Sequence, residues 1–263
     1  MKTSGEMSIE TATAHLKQSF LARHSRRSLL KGAAIGMTGF AAAPAAALLI
    51  PKHFAHASGG GEGAEDTVAQ ILSIAATAEE LAVTFYSHSI ANASKLGING
   101  ANLAYLQAAV IEEQIHRDFE VAAGGSPLTN TFSFPHGNDT FEQLNLFIAT
   151  LEQLEEAFIA AYLAAVKEFA LLGQPDLAQL AAQICGIENE HRTLGRDIGG
   201  LIPADNWAFS PALVESVGDA VDVLAAEGYL SPKAGNSFTY HHVSTDDHGV
   251  INRTPFTAGE DND

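Results

Sequence analysis

The stretch Ile111-Glu112-Glu113-Gln114-Ile115-His116 has a counterpart 75 residues later, Gly186-Ile187-Glu188-Asn189-Glu190-His191. Each contains Glu-x-x-His inside a long segment whose apolar residues recur at helical spacing. On a helix, a step of three residues places the carboxylate and the imidazole on the same face. A single pair of this kind is usually a solvated surface pair. Metal binding is indicated only if other helices supply further ligands at the same level of the bundle.

Two further predicted helices carry a second repeated motif. Glu79-Glu80 precedes Tyr86, and Glu155-Glu156 precedes Tyr162 at the same spacing. The offset between these two motifs is 76 residues, close to the 75 residues between the Glu-x-x-His motifs. We therefore interpret the chain as a duplicated helical hairpin.

The two motifs together supply the donor set of a dinuclear metal site. A glutamate from each of two helices plus Glu-x-x-His from each of the other two is how some four-helix bundles hold two iron or manganese ions. The glutamates share helix faces with apolar residues, where an unpaired carboxylate is costly and a cation offsets that cost. Helix register places them at equivalent heights in antiparallel hairpins. The predicted metal ligands are Glu79, Glu113, His116, Glu155, Glu188 and His191.

Several neighbouring residues have alternative interpretations. Glu152 competes with Glu155, because it lies one turn earlier on nearly the same face, although register favours Glu155. Tyr86 and Tyr162 are either hydrogen-bond donors or redox-active groups beside the site, or ordinary buried tyrosines of a bundle core. The glutamates adjacent to the predicted ligands are expected to face solvent: Glu80, Glu112, Glu156 and Glu190.

The pattern of apolar residues, glycines and prolines predicts an all-α fold. Four long helices form a bundle with a long crossover between the second and third, and a short fifth helix follows Pro211. Thr140 and Gln143 form a predicted capping box that opens the third helix. The predicted helices span 66–96, 101–123, 140–172, 176–198 and 211–226.

Composition excludes several classes of function. The chain has 31 acidic and 14 basic residues, and seven of the basic ones lie in residues 1–57 with only two acidic ones. The remainder therefore carries seven basic against 29 acidic residues, a net charge of −22, which disfavours binding to nucleic acid or anionic lipid. Cys185 is the single cysteine, which excludes an intramolecular disulfide and a cysteine-rich metal site. We expect it to be a small buried residue.

The N-terminus has the features of an export signal. Ser25-Arg26-Arg27-Ser28 is a twin-arginine sequence, followed by an apolar run over 32–50 and the small-x-small cleavage site Ala55-His56-Ala57. Residues 1–57 are therefore predicted to be a removable signal read by the twin-arginine export machinery. The alternative is an uncleaved membrane anchor.

The predicted domain organisation continues with a glycine-rich linker over 58–65 and the helical domain over 66–228. Residues 229–263 are predicted to form a polar, extended tail. His241, His242 and His248 lie in that tail and could bind a surface metal, but a solvated tail is the favoured interpretation.

At these motifs the chain resembles the ferritin-like superfamily, and more narrowly its exported ferritin-like domain proteins, which include the desiccation-related proteins. The resemblance also includes a segment with Pro203 and Trp207 that leads into the fifth helix. It implies that Glu113 and Glu188 bridge two metals, with Glu79 and His116 on one side. Glu155 and His191 would lie on the other side.

The resemblance does not fix the reaction. The leading expectation is a di-iron or di-manganese protein that performs redox chemistry with O2 or peroxide, periplasmic or secreted, and possible as a homo-oligomer. Iron storage is an alternative that requires a closed shell of many subunits. A third is a non-catalytic stress protein whose acidic surface retains water, with metal serving stability or with no metal bound.

Overall fold

The computed structural model describes residues 65–245 and 249–251. The predicted export signal, almost all of the linker and His248 lie outside the described residues. Over the described residues the fold is all-α, as predicted, with six α-helices and two very short strands. The helices are α1 (Val68–Ala91), α2 (Ala93–Leu96), α3 (Gly100–Ala122), α4 (Leu144–Leu171), α5 (Pro175–Ile198) and α6 (Val217–Ala226).

The first long helix is shorter than predicted at its C-terminal end. It begins with a capping box in which the Thr67 side chain accepts from the Gln70 backbone N–H and the Gln70 side chain accepts from the Thr67 backbone N–H. It ends at Ala91, and the side chain of the next residue, Asn92, donates to the His88 carbonyl at 2.9 Å. This local side-chain bond competes with helix continuation, so residues 93–96 form the separate turn α2.

The crossover between α3 and α4 is long, as predicted, but it is more ordered than a plain loop. Its strand β1 (Thr131–Phe132) pairs antiparallel with β2 (Phe238–Thr239) near the C-terminus. The predicted capping box at Thr140 is wrong, because 137–141 form a 3-10 turn and α4 begins only at Leu144. Burial of Phe141 against Phe85 and the neighbouring aromatic rings outweighs the local capping signal.

The bundle consists of two helical hairpins. Helix α1 packs most extensively on α3, and α4 on α5, so each repeat of the sequence is one hairpin. The core between the hairpins includes apolar residues that are almost fully buried, such as Leu81, Phe85 and Leu151. Cys185 is buried among apolar residues that include Ile159 and Ile184, as expected, and burial raises its pKa to about 11. Side chains that point from one hairpin towards the other are therefore shielded from solvent.

The last helix and the segment after it differ from the expectation. Helix α6 begins at Val217 instead of near Pro211, because Ser216 and Asp219 form a capping box and the buried Glu168 carboxylate accepts the Val217 N–H at 2.9 Å. The segment predicted as an extended polar tail packs on the bundle in its first part. Tyr229 is fully buried and its hydroxyl donates to Gln153 at 2.6 Å.

Helix α1 is the one described helix whose length and hydropathy would allow it to cross a membrane. It is a core helix of the bundle, since 78% of its most apolar window is buried by the rest of the protein. Core helices of soluble proteins commonly meet the same criterion, so this helix is weak evidence for a membrane span. The predicted alternative of an anchor over 32–50 lies outside the described residues.

Two glycines of α5 are expected to respond to alanine substitution with opposite signs. A Cβ at Gly195 would lie 2.2 Å from Leu151 Cδ2, whereas a Cβ at Gly186 would meet nothing within 4 Å. Gly195→Ala should therefore lower the free energy of unfolding by about 1–3 kcal/mol through overpacking. Gly186→Ala, the control on the same helix, should raise it by up to about 1 kcal/mol. Urea unfolding measures both, and equal effects would contradict the close α4 to α5 packing.

Candidate metal centre

The structure brings all six predicted metal-ligating side chains together in the centre of the bundle. They form two groups of four, within each of which the ligand atoms all lie within 4.8 Å of one another. Glu113 and Glu188 belong to both groups. The first group is completed by Glu79 and His116, and the second by Glu155 and His191. The arrangement therefore has places for two cations that share two carboxylates.

Both imidazoles face this centre with their Nδ1 atoms. His116 Nδ1 lies 3.6 Å from Glu113 Oε2 and 3.7 Å from Glu188 Oε1. His191 Nδ1 lies 3.1 Å from Glu113 Oε1 and 3.4 Å from Glu188 Oε2. Each ring is therefore in contact with both shared carboxylates, and the two rings lie on either side of them.

The centre is deeply buried and rich in unused polar atoms. The four carboxylates are at most 2% exposed. Buried polar groups are normally hydrogen-bonded, and orphaned ones cost free energy. Among the described residues, eight ligand atoms have no hydrogen-bond partner. They are Glu79 Oε2, Glu113 Oε1 and Oε2, His116 Nδ1, Glu155 Oε2, Glu188 Oε1 and Oε2, and His191 Nδ1.

The protonation of these groups follows from burial and crowding. Burial raises the pKa of Glu155 well above its usual value, and the nearby Glu188 raises it further. Burial and then Glu79 raise the pKa of Glu113. Burial lowers the pKa of His116, but Glu113, Glu79 and Glu188 outweigh it, so that this pKa lies well above the usual value. A cation that enters must therefore displace protons.

Two tyrosines hold the outer carboxylates of the centre. The Tyr86 hydroxyl donates to Glu155 Oε1, and the Tyr162 hydroxyl donates to Glu79 Oε1. Both bonds connect one hairpin to the other, and the sequence repeat that relates the ligands also relates the two bonds. Burial, followed by the adjacent Glu155 carboxylate, raises the pKa of Tyr86 well above its usual value, so its phenol keeps its proton. The structure thus favours hydrogen-bond donors over plain core tyrosines.

The alternative ligand Glu152 lies outside both groups. Its carboxylate pairs with the Arg196 guanidinium, and Arg192 Nη2 lies 3.9 Å from the same oxygen. A carboxylate already neutralised by arginine is a poor metal ligand, so Glu155 is the better candidate, as register indicated.

Residues 67–200 match the family model described as the ferritin-like domain. The chain belongs to this family. The matched segment contains the four long helices and all six clustered residues, and it ends before α6. No match was found among curated proteins or among solved structures.

The ferritin-like domain of this chain also contains two ion pairs that the sequence interpretation missed. Arg117 Nη2 lies 2.8 Å from Glu80 Oε1, and Arg192 Nε lies 3.3 Å from Glu156 Oε1. The prediction that Glu80 and Glu156 face solvent is wrong, since both are buried. The signal was present, because each Glu-x-x-His motif is followed directly by arginine.

The other two adjacent glutamates behave differently. Glu190 is exposed, as predicted. Glu112 is partly exposed, but its Oε2 lies 2.9 Å from His191 Nε2, on the side of the ring that faces away from the cluster. Glu112 therefore contacts one of the six clustered residues and is not a free surface group.

Glu120 is a further buried carboxylate that the sequence interpretation missed. It is 1% exposed, and its Oε1 lies 2.7 Å from the Tyr162 hydroxyl that also contacts Glu79. Burial, and then the charge of Glu79, raise its pKa well above the usual value. Its position four residues after His116 puts it on the same helix face, which is the signal that could have found it.

The segment after α5 contacts two arginines of that helix, Arg192 and Arg196. The Arg192 guanidinium lies 3.3 Å above the Trp207 ring, and its Nη2 donates to Asn206 at 2.9 Å. Arg196 donates to the Ala204 carbonyl at 2.8 Å. Because these arginines also pair with Glu156 and Glu152, the segment is fixed to the same network that supports the ferritin-like centre.

Proposed function

We propose that this chain is an exported ferritin-like protein that binds two iron or manganese ions and uses them in redox chemistry with O2 or peroxide. The observation that supports the proposal is the pair of overlapping ligand groups that share Glu113 and Glu188. Four buried carboxylates match the charge of two divalent cations, and oxygen and nitrogen donors suit both metals. A cation pair would also satisfy the eight orphaned atoms.

In this proposal each residue has a defined task. Glu113 and Glu188 would be shared by the two ions. Glu79 and His116 would complete one metal position, and Glu155 and His191 would complete the other. When bound, the metals supply the redox chemistry, by binding and polarising the oxidant.

The protein's own groups orient the ligands and limit the access of water. The hydroxyls of Tyr86 and Tyr162 fix the outer carboxylates, and each hydroxyl holds a proton next to the centre. The apolar core around the cluster, which includes Leu81, Phe85 and Leu151, keeps bulk water away. Such exclusion strengthens the electrostatic interactions inside the site.

The proposal of export rests on the N-terminal sequence. A twin-arginine motif, an apolar run and a small-x-small site precede an acidic domain. A metal site buried in a folded bundle suits a route that transports folded proteins. The resemblance to the exported, desiccation-related branch agrees with this destination.

A metal-free scaffold is the second candidate, and one observation favours it. The Nδ1 atoms of His116 and His191 lie 3.1 to 3.8 Å from carboxylate oxygens of the cluster, close enough for imidazolium and carboxylate groups to neutralise each other in part without metal. In that case the bundle would be a stress protein whose acidic surface acts on water and whose centre is structural. Chelation would then leave its thermal stability unchanged.

Metal analysis of protein purified from its native host tests the proposal. We expect about two iron or manganese ions per chain, an optical change when the reduced protein meets O2 or peroxide, and an intact mass that corresponds to cleavage after Ala57. Fewer than one ion per chain in protein that stays folded in chelator would favour the scaffold. A full-length mass would contradict cleavage and leave the metal assignment untouched.

A further inference from the structure

We propose that Glu112 is a positioning residue for only one of the two metal positions, the one completed by His191. The inference rests on the proposed metal binding and adds to it that the two positions are chemically unequal. Glu112 Oε2 lies 2.9 Å from His191 Nε2, while His191 Nδ1 faces Glu113 and Glu188. The two ring nitrogens therefore have different partners on opposite sides.

The contact with Glu112 determines which nitrogen can bind a cation. An ionised carboxylate only accepts hydrogen bonds, so the hydrogen of the neutral ring must be on Nε2. The lone pair is then on Nδ1, directed at the cluster. Outer carboxylates that hold a ligating histidine in this way fix its orientation and increase its basicity. Glu112 would thus act through His191 without touching the metal.

The sequence repeat gives His116 no carboxylate at the position equivalent to Glu112. His116 and His191 are related by the 75-residue offset, and the same offset relates Glu112 to Ile187. Within the described part of the chain, the three carboxylates in salt-bridge range of His116 all face its Nδ1. The position that the repeat makes equivalent to Glu112 therefore carries an aliphatic side chain, which cannot accept a hydrogen bond from an imidazole N–H.

A second difference between the hairpins affects the other metal position. Glu120 contacts Tyr162, which holds Glu79, while the repeat equivalent of Glu120 is Gly195. The two positions therefore differ in more than one way, and their absolute affinities cannot be compared to isolate Glu112. The informative comparison is the change in each binding step when one residue is substituted.

The experiment is a stepwise Co²⁺ and Mn²⁺ titration of the metal-stripped full-length chain, without oxygen. For Glu112→Ala we expect one binding step to weaken by about 10–100-fold and the other to stay unchanged. Glu112→Gln should weaken the same step less, because its amide oxygen still accepts from Nε2. The exposed Glu190, which immediately precedes His191, provides the control Glu190→Gln, with both steps unchanged.

The repeat allows the reverse experiment. Ile187→Glu places a carboxylate where His116 lacks one, and it should strengthen the step that Glu112→Ala leaves unchanged. A ring resonance of His191 in metal-free protein provides an independent measurement. Its Nε2–H proton should exchange with solvent faster in Glu112→Ala than in wild type, and at the wild-type rate in Glu190→Gln.

Each outcome bears on a different claim. If wild type shows two metal-binding steps and Glu112→Ala leaves both unchanged or weakens both equally, the inference is overturned and the proposed function is intact. A wild-type chain that binds fewer than two ions contradicts the proposed function, and the role of Glu112 at a metal position falls with it. An Nε2–H exchange rate that is the same in wild type and Glu112→Ala overturns the positioning contact itself.

Discussion

Glu113→Gln is expected to abolish binding of both metal ions and not of one alone. Glu113 lies in both ligand groups, and each of its oxygens faces a different histidine, Oε1 towards His191 and Oε2 towards His116. The amide of glutamine has one oxygen and no charge, so it cannot bridge two cations. Each apparent affinity should fall by about 100-fold or more, at least as much as the loss of an outer supporting residue costs.

Substitution of the outer carboxylates gives the contrasting result. Glu79→Gln and Glu155→Gln should each remove one ion preferentially, because each residue belongs to only one group. Glu190→Gln, at an exposed position of the same motif, should bind two ions like wild type. Elemental analysis after dialysis gives the stoichiometry, and circular dichroism confirms that each variant is folded. Two tightly bound ions in folded Glu113→Gln would contradict the assignment of the bridge.

The metal-free form of Glu113→Gln should show that the carboxylate is not there for stability. Burial and the neighbouring Glu79 raise the pKa of Glu113, which means that its ionised form is disfavoured in the folded chain. A neutral amide of the same size removes this cost, so the unfolding free energy of the metal-free variant should equal or exceed that of wild type at alkaline pH. Loss of metal with retained stability would separate function from folding.

The repeat explains why the six clustered residues were predictable. Glu113 and Glu188 occur in matching motifs, and equal offsets between motifs mean equal heights in the two hairpins. Helix period then assigns each residue to a face. These rules depend on spacing within one chain segment, so they survive without knowledge of tertiary contacts.

The residues around the centre were less predictable, because a helix pattern predicts which face a residue lies on but not whether neighbouring helices bury it. Glu80 and Glu156 lie beside the inward face, and their burial depends on Arg117 and Arg192 from the partner helices. The same limitation applies to Glu120, which is buried by its contact with Tyr162 from the other hairpin.

Local signals failed where distant aromatic residues compete with them. Thr140 and Gln143 form a capping box by sequence, but Phe141 is drawn into a cluster with Phe134 and Phe238. Phe238 comes from the segment predicted as a polar tail, where a few apolar residues are diluted by polar ones. Mean composition describes such a segment poorly, because the burial of one or two large rings is enough to fix it on the bundle.

Metal-free protein is expected to lose stability as pH rises, and metal ions should remove that dependence. Burial raises the pKa of Glu155 and Glu120, and the surrounding carboxylates raise the pKa of His116 and His191 despite their burial. The folded chain therefore binds more protons than the unfolded chain. The contribution of these groups to the unfolding free energy is greatest below the ordinary carboxyl pKa, and it falls as pH rises through the raised values.

Cations replace these protons, so the loaded protein should keep its stability through the same pH range. At free metal about 100-fold above the dissociation constant, each site adds about 2.7 kcal/mol, or about 5 kcal/mol for two sites. For a domain of this size that corresponds to an increase in melting temperature of about 10–20 °C. The gap between loaded and chelated protein should widen as pH rises above the ordinary carboxyl pKa and through the raised values.

Calorimetry with and without chelator across this range measures the effect, and Glu113→Gln supplies the matched control. In that variant the metal-dependent gap should disappear, and the fall with pH should be shallower because one of the buried carboxyls no longer titrates. If the melting temperature of wild type changes neither with pH nor with chelator, the imidazoles alone neutralise the carboxylates. The centre would then be a self-contained charge cluster, and the redox proposal would lose its basis.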